Sequence, residues 1–227
     1  MSSLRRLGGA TGALLREAGC VARARWLQVV MAAVISLAFA LVLHRWDPVL
    51  ENWIRDHQNA DNLVIARRLS HWGELHLGPL IWLCLLGLFG LWRRVGTLAW
   101  AGLTGVLAGC VGGILVNILK VIVGRPRPYT SIPDGIHWFS FGGEYASFPS
   151  GHATHCLAIA AAVGVLAPRW GALMVLASVA VGWSRWYLMR HYMTDLWAGA
   201  CFGLVIGLIF GCAARRLLSV QALDKKL

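Results

Sequence analysis

Residues 95–120 read VGTLAWAGLTGVLAGCVGGILVNILK, an uncharged run that ends on Lys120. A bilayer-spanning helix needs roughly 20 mainly apolar residues, so this stretch reads as a transmembrane helix with a lysine at one end. Gly105, Gly109 and Gly113 recur within it every four residues. Small residues at that spacing let a neighbouring helix approach closely. Working outward, uncharged runs also cover 27–43, 75–92 and 196–214. Two shorter ones, 150–168 and 170–184, reach spanning length by borrowing a polar residue at their outer ends. The expectation is an all-α, polytopic membrane protein with six transmembrane helices in one domain over 27–214. Basic segments over 1–26 and 215–227 flank it. A hydrophobic content of 58% and a mean hydropathy of +0.63 exclude an ordinary soluble domain.

The net charge of +11 raises nucleic acid as a partner, but the distribution of charge argues for a membrane. With the N-terminus inside, six spans put 12 of the 21 Lys and Arg on the inner side, with only Glu17 and Asp224 as inner acids. That is the positive-inside pattern, and contact with anionic lipid accounts for it. No nucleic-acid partner is expected; the lipid bilayer is. Both termini are placed in the cytoplasm, in the inner membrane of a bacterium. The six cysteines form no C-x-x-C pair and fall mostly within spans, as packing residues. The apolar run from Leu27 continues past Ala38-Phe39-Ala40, which favours an uncleaved span over a signal peptide. Residues 1–26 read as a surface segment.

Residues 44–74 are polar, with Trp46, Trp53 and Trp72 suited to a membrane boundary. Leu50, Trp53, Ile54 and His57 fall on one helical face, read as packing with a weaker option of covering a lipid substrate. Residues 121–149 carry four prolines and Gly124, Gly135, Gly142 and Gly143, a loop that must lie outside lipid or under protein.

The topology makes a test. Lys120 and Arg127 fall at the outer end of the third span, and Ser150, Gly151 and His152 at the outer start of the fourth. Arg185, His191 and Asp195 fall in the outer turn between the fifth and sixth. Ionisable groups at one membrane face are functional candidates. Lys120, Arg127 and Arg185 are cations without enough nearby acid, so an anion completes the site; arginine forks match phosphate oxygens. Ser150 suits a helix N-cap and Gly151 lets a ligand approach the backbone, where free N–H groups face an anion. His191 and Asp195, four apart, share a face on a helical turn. A carboxylate beside one ring nitrogen would leave the other as nucleophile or base, and His152 could protonate a leaving alkoxide. His155 is read as packing or hydrogen bonding, Arg125 as solvated, and Asn117 as a helix–helix hydrogen bond.

These residues compose three patterns: Lys120-x6-Arg127-Pro128, Pro149-Ser150-Gly151-His152, and Ser184-Arg185-x5-His191-x3-Asp195. Together, in this order, they resemble the type 2 phosphatidic acid phosphatase superfamily, by motif over 120–195 and by helix arrangement over roughly 75–214. The resemblance implies a six-helix membrane fold and a phosphatase that needs no metal or other cofactor. It implies His191 as nucleophile, His152 as general acid, and phosphate binding by Lys120, Arg127, Ser150, Gly151, His152 and Arg185.

A membrane site facing outward suits a lipid phosphate or pyrophosphate. The motifs bind phosphate alone, so undecaprenyl pyrophosphate, phosphatidylglycerophosphate, phosphatidate and lipid A phosphates all stay open, the polyprenyl pyrophosphate ranked first. Transfer of the phosphoryl group to an alcohol is a second enzyme reading. A vanadate haloperoxidase, soluble in that family, fits six spans poorly. Transport or lipid binding without catalysis leaves His191, Asp195 and His152 unexplained. The same side chains with His155 could be read as metal ligands, but three fixed cations repel a divalent ion.

Overall fold

The structure is a computed structural model that describes residues 2–75 and 78–224. Every regular element among these residues is helical. In order they are α1 (Ser2–Ala24), α2 (Trp26–His44), α3 (Asp47–His57), α4 (Ala60–Trp72), α5 (Pro79–Trp92), α6 (Gly96–Val123), α7 (Gly151–Leu166), α8 (Pro168–Tyr187) and α9 (Met193–Asp224). By length and composition, three of them can cross a membrane: α2, α6 and the 193–222 part of α9. The apolar helices α5 and α7 are shorter, at 14 and 16 residues. At about 1.5 Å per residue, α7 rises about 24 Å, short of the roughly 30 Å hydrocarbon core.

Helix α7 is the centre, packed by α6, α8 and α9. It is rich in alanine, and Ala153, Ala158, Ala160 and Ala162 are all buried. The contact with α9 is backbone against backbone. Gly199, Gly203 and Gly207 lie so close to the carbonyls of Ser150, Thr154 and Ala158 that a Cβ would collide with them. A Cβ on Gly211 would come within 2.7 Å of Val165. The α6 glycines act as the sequence suggests: a Cβ on Gly105 would sit 2.6 Å from Leu83, and one on Gly109 3.0 Å from Ile159. Gly102 meets Gly87 of α5 in the same way, at 2.7 Å.

Several boundaries differ from the sequence expectation. Helix α6 runs three residues further, so Lys120 lies in its last turn and the loop begins at 124. Gly124 ends the helix in the left-handed conformation (φ 61°), its N–H donating to the Lys120 carbonyl at 2.8 Å. No side chain fits there, because the His137 carbonyl occupies the space. Helix α9 continues through Asp224 into the segment expected as a basic tail, whose residues 225–227 lie outside the described residues. The N-terminal segment is also helix, and Leu14, Ala18 and Val21 bury themselves against Phe210, Ala213 and Ala214 of α9. Asn117 is exposed on α6 and bridges no helices.

Residues 44–74 form α3 and α4, which lie over the end of α8. Ile54 and Ala66 are fully buried against Tyr187 and Met189. Asn59 caps α4, accepting from the Asn62 N–H at 2.9 Å, while its own N–H donates to the Tyr187 hydroxyl at 2.9 Å. The packing reading of this segment therefore holds through Ile54, whereas Trp46, Trp53 and Trp72 are exposed.

The glycine contact makes a differential prediction. Gly203→Ala should destabilise the protein by about 1–3 kcal/mol, the usual penalty for overpacking. Gly182→Ala, whose Cβ meets nothing within 4 Å, should leave stability unchanged or raise it, since alanine is favoured in a helix. Thermal unfolding of both variants in detergent compares the two.

Candidate functional site

The loop 124–150 is tied down before it delivers any side chain. The Arg127 N–H donates to the Glu144 carbonyl at 2.8 Å, and the Ser147 N–H to the Arg125 carbonyl at 3.0 Å. Two bonds cross to the turn between α8 and α9: Tyr129 N–H to the Met189 carbonyl at 3.2 Å, and Ser150 N–H to the Asp195 carbonyl at 3.0 Å. The three motifs are thereby gathered at one end of the bundle.

Lys120 points from the last turn of α6 and donates to the Ala146 carbonyl at 2.6 Å. A Cβ on Gly151 would lie 3.6 Å from the Lys120 Cε, so the backbone at the start of α7 faces the lysine stem. Arg185 reaches from the last turn of α8 and donates to the Ser70 hydroxyl at 2.5 Å. His155, one turn further along α7, donates Nε2–H to the Gly73 carbonyl at 2.8 Å, which bears out its hydrogen-bonding role. Ser70 and Gly73 were invisible from sequence, because a serine and a glycine near the end of a polar helix carry no signal of their own.

Five buried side-chain polar atoms among the described residues have no hydrogen-bond partner: Arg127 Nε, Ser150 Oγ, His152 Nε2, Arg185 Nε and Thr194 Oγ1. The first four belong to the expected phosphate set. Ser150 does sit at the N-cap position of α7, but its hydroxyl makes no capping bond; its carbonyl instead accepts from the Thr154 N–H and hydroxyl at 3.0 and 2.9 Å. Leaving a buried polar group unpaired costs about 1–3 kcal/mol, so an anion that accepts from Arg127, Arg185 and Ser150 would offset that cost. Burial, reinforced by the charge of Arg190, holds the Arg127 guanidinium below its usual range. A bound anion would relieve that strain.

His191 is 1% exposed and lies in the turn before α9, outside any helix. Its Nδ1 is 2.8 Å from the Ser147 carbonyl. A carbonyl only accepts, so Nδ1 carries the proton and Nε2 presents its lone pair. Burial, then the charges of Lys120, Arg185 and Arg127, push the imidazole well below its ordinary value of 6.5. The ring is neutral and nucleophilic in form.

Asp195 departs from the expected geometry. Its Oδ2 is 3.7 Å from His191 Nδ1, too long for a hydrogen bond, and beside a neutral imidazole this is no ion pair. The tautomer is set by Ser147, because His191 precedes the helix and the two residues do not share a helical face. Asp195 acts one step back. Oδ2 accepts from the Ser147 hydroxyl at 2.6 Å and the Tyr192 N–H at 2.8 Å, and Oδ1 from Arg125 at 2.7 Å. Arg125 is not solvated as read from sequence; it is 6% exposed and also meets Asp47 and Asp134. Burial opposes its charge, but Asp134, Asp195 and Asp47 outweigh that and raise its pKa. Among the described residues no group of His, Cys, Asp and Glu is arranged to hold a metal ion.

His191 makes stability depend on pH. As pH falls through about 6.5, the unfolded chain gains a proton that the buried imidazole refuses, so the folded state loses stability; it regains it as pH rises. The melting temperature in detergent should fall between about pH 7.5 and about pH 5.5. His191→Gln should make that fall shallower; equal slopes would contradict the buried neutral ring.

Comparison with known proteins follows the geometry. The PAP2 superfamily model matches residues 98–217, which contain all three motifs. The chain is 34% identical over 114 residues to a lipid A 1-phosphatase of Rhizobium johnstonii, covering 49% of this chain and 47% of that one. It is 38% identical over 94 residues to the lipid A 1-phosphatase of Rhizobium etli, with 40% of each covered. It is 30% identical over 129 residues to the undecaprenyl-diphosphatase BcrC of Bacillus subtilis, covering 56% of this chain and 63% of that one. The chain thus spans about half the length of the curated relatives it matches. Among solved structures, the PAP2-type phosphatidylglycerolphosphate phosphatase of Bacillus subtilis superposes with a TM-score of 0.61 at 20% identity, covering 88% of this chain and 96% of that one. LpxE of Aquifex aeolicus superposes at 0.52 and 24% identity, covering 71% and 92%. These two establish the fold, and the family match extends over more than half of the sequence, motifs included: the chain belongs to the PAP2 superfamily.

Proposed function

We propose that the chain is a metal-independent lipid phosphate or pyrophosphate phosphatase that works through a phosphohistidine. The observation that carries this is that four buried polar atoms of the three motifs lack a partner, at the same end of the bundle as a histidine held as the Nδ1–H tautomer. Lys120, Arg127, Arg185, Ser150 and the N–H groups at the start of α7 hold the phosphoryl oxygens. His191 Nε2 attacks phosphorus, the P–N bond forms, and the bond to the leaving oxygen breaks. His152, protonated as the anionic lipid binds, gives that oxygen its proton. Water, deprotonated by His152, then attacks phosphorus and breaks the P–N bond, releasing phosphate. Fixed cations stabilise charge on the transferring oxygens throughout.

The apolar part of the substrate has a place in this reading. A cavity of about 650 Å³ lies between α4, α5, α7 and α8, walled by Trp72, Trp82, Phe89, Cys156, Ile159 and Val181. Cys156 is one turn below His152. Phosphate chemistry at one end and an apolar cavity beside it suit a lipid whose chains remain in the membrane.

The six-span arrangement is part of the proposal. Helices α5, α7 and α8 complete the crossing with α2, α6 and α9, which puts the site at the outer face of a bacterial inner membrane and both termini in the cytoplasm. The excess of arginine and lysine at the opposite end supports that orientation. A polyprenyl pyrophosphate such as undecaprenyl pyrophosphate is the leading substrate, with phosphatidylglycerophosphate and phosphatidate beside it. Removal of a lipid A phosphate is a second reading, favoured by the 34% and 38% identity to lipid A 1-phosphatases.

A phosphate-release panel in detergent with these four lipids tests the proposal and ranks the substrates. His191→Ala should abolish release; unchanged release would sink the phosphohistidine route. Lys120→Ala or Arg185→Ala should lower the rate on the order of 10²–10³-fold, as loss of one charge-stabilising donor does elsewhere. Activity should survive EDTA; complete loss restored by zinc or magnesium would favour a metal enzyme.

A further inference from the structure

The guanidinium of Arg125 sits outside the phosphate cradle and touches none of its unpartnered atoms. It is held by three carboxylates and also meets the His44 ring, whose Nδ1 lies 3.2 Å from Nη2. Nη1 donates to Asp195 Oδ1 at 2.7 Å, Nη2 to Asp47 Oδ2 at 2.9 Å and to Asp134 Oδ2 at 2.8 Å, and Nε to Asp134 Oδ1 at 2.8 Å. Its Cζ stacks 4.0 Å over the Tyr192 ring. Asp47 opens α3, Asp134 is in the loop, and Asp195 is in the first turn of α9, so one side chain joins three segments remote in sequence. The other oxygen of Asp47 accepts the Thr194 N–H at 3.1 Å, which pins the turn next to Asp195. The Arg125 carbonyl accepts the Ser147 N–H at 3.0 Å. Ser147 in turn offers its carbonyl to His191 and its hydroxyl to Asp195. Arg125 therefore grips Ser147 from two directions, through its own backbone and through Asp195.

We propose that Arg125, clamped by Asp47 and Asp134, is a positioning residue that fixes Asp195 and Ser147 and thereby aims Nε2 of His191. The inference rests on the reading of His191 as nucleophile. Its physical basis is that a fork held by three carboxylates has one orientation. A buried Asp195 released from it would no longer be held in one orientation. The Ser147 hydroxyl would follow, and the carbonyl that sets the His191 tautomer would turn with it. Asp134 is the one carboxylate of the three with an exposed edge, its side chain 31% accessible, so it can be neutralised without stranding a buried charge.

The test measures kcat, KM and competitive inhibition by inorganic phosphate, using whichever panel lipid the wild type hydrolyses fastest. Arg125→Lys, which keeps the charge but loses the fork, should lower kcat on the order of 10²-fold, and Asp134→Asn about 10-fold. KM and phosphate inhibition should stay within about two-fold, because the cradle is untouched. Asp134→Asn should add nothing in an Asp195→Asn background. Folding is followed by gel filtration and thermal unfolding, with Asp134→Asn as the variant that keeps the fold if Arg125→Lys does not. Unchanged kcat in the folded variants, or losses that multiply in the double variant, would overturn the proposal. A wild type inactive on the whole panel would defeat the phosphatase reading instead. The clamp is then judged on ¹⁵N shifts of the His191 ring, assigned with His191→Gln. A tautomer that becomes mixed in Asp134→Asn supports it, and an unaltered one overturns it.

Discussion

The structure depends on how closely the backbones of α7 and α9 approach. Gly199, Gly203 and Gly207 bring backbone against backbone, with only small side chains such as Ala161 and Val165 beside Gly207 and Gly211, so the start of α7 and the start of α9 meet at the same level. That contact is why the Ser150 N–H can donate to the Asp195 carbonyl at 3.0 Å. It links the Pro-Ser-Gly-His turn to the His–Asp turn through a single backbone bond. In lipid the hydrophobic effect does not distinguish one apolar contact from another, and tight packing of small residues supplies the association. The site is thus held from beneath by van der Waals contact and from above by the hydrogen-bonded loop.

Charge divides the site into two zones with opposite accounts. Around the cradle, Lys120, Arg127 and Arg185 face one another, with unpartnered donors among them. Behind His191, a single guanidinium answers three carboxylates, two of them, Asp47 and Asp195, wholly buried. Neither zone is neutral alone, and the neutral His191 ring lies at their boundary. Buried ion pairs rarely add much net stability, because desolvation offsets their attraction, whereas breaking one by removing a partner is costly. Such a cluster is better suited to fixing geometry than to strengthening the fold, and Ser147 is where that geometry passes to the imidazole.

Much of this was legible in sequence because the chain is so apolar. In a protein with few charges, Lys120, Arg127, Arg185, His152 and His191 stand out, and the spacing of uncharged runs places them on one face. The pattern in α6 was legible for the same reason: Gly105, Gly109 and Gly113 recur every four residues in an uncharged run. The glycines of α9 keep the same four-residue interval from 199 to 211, but the spacing alone does not tell which helix they face. Arg125 defeated the reading because its partners are at 47, 134 and 195, and nothing local distinguishes a clamped arginine from a solvated one. The His191–Asp195 spacing misled for a specific physical reason. A four-residue interval implies a shared face only where both residues are helical, and α9 begins at Met193, after the histidine.

Helix α7 also sets how far the phosphate lies from the rest of the lipid. Its first turn presents Ser150 and His152 to the cradle, and its next turns present Cys156 and Ile159 to the apolar cavity. His152, Cys156 and Ile159 are joined by continuous helix, so the rise from the first of these to the apolar wall is fixed at one to two turns, on the order of 5–10 Å. On the proposed reading, a substrate must bridge that distance with whatever joins its phosphate to its chains. A diphosphate bridges it with a second phosphate, a glycerolipid with its backbone, and lipid A with a sugar ring. On that reading the motifs would hold only the terminal phosphoryl group, and discrimination among these lipids would fall to the side chains that line the interval. The sequence elements that identify the family and those that choose its substrate are therefore different ones, separated along the same helix.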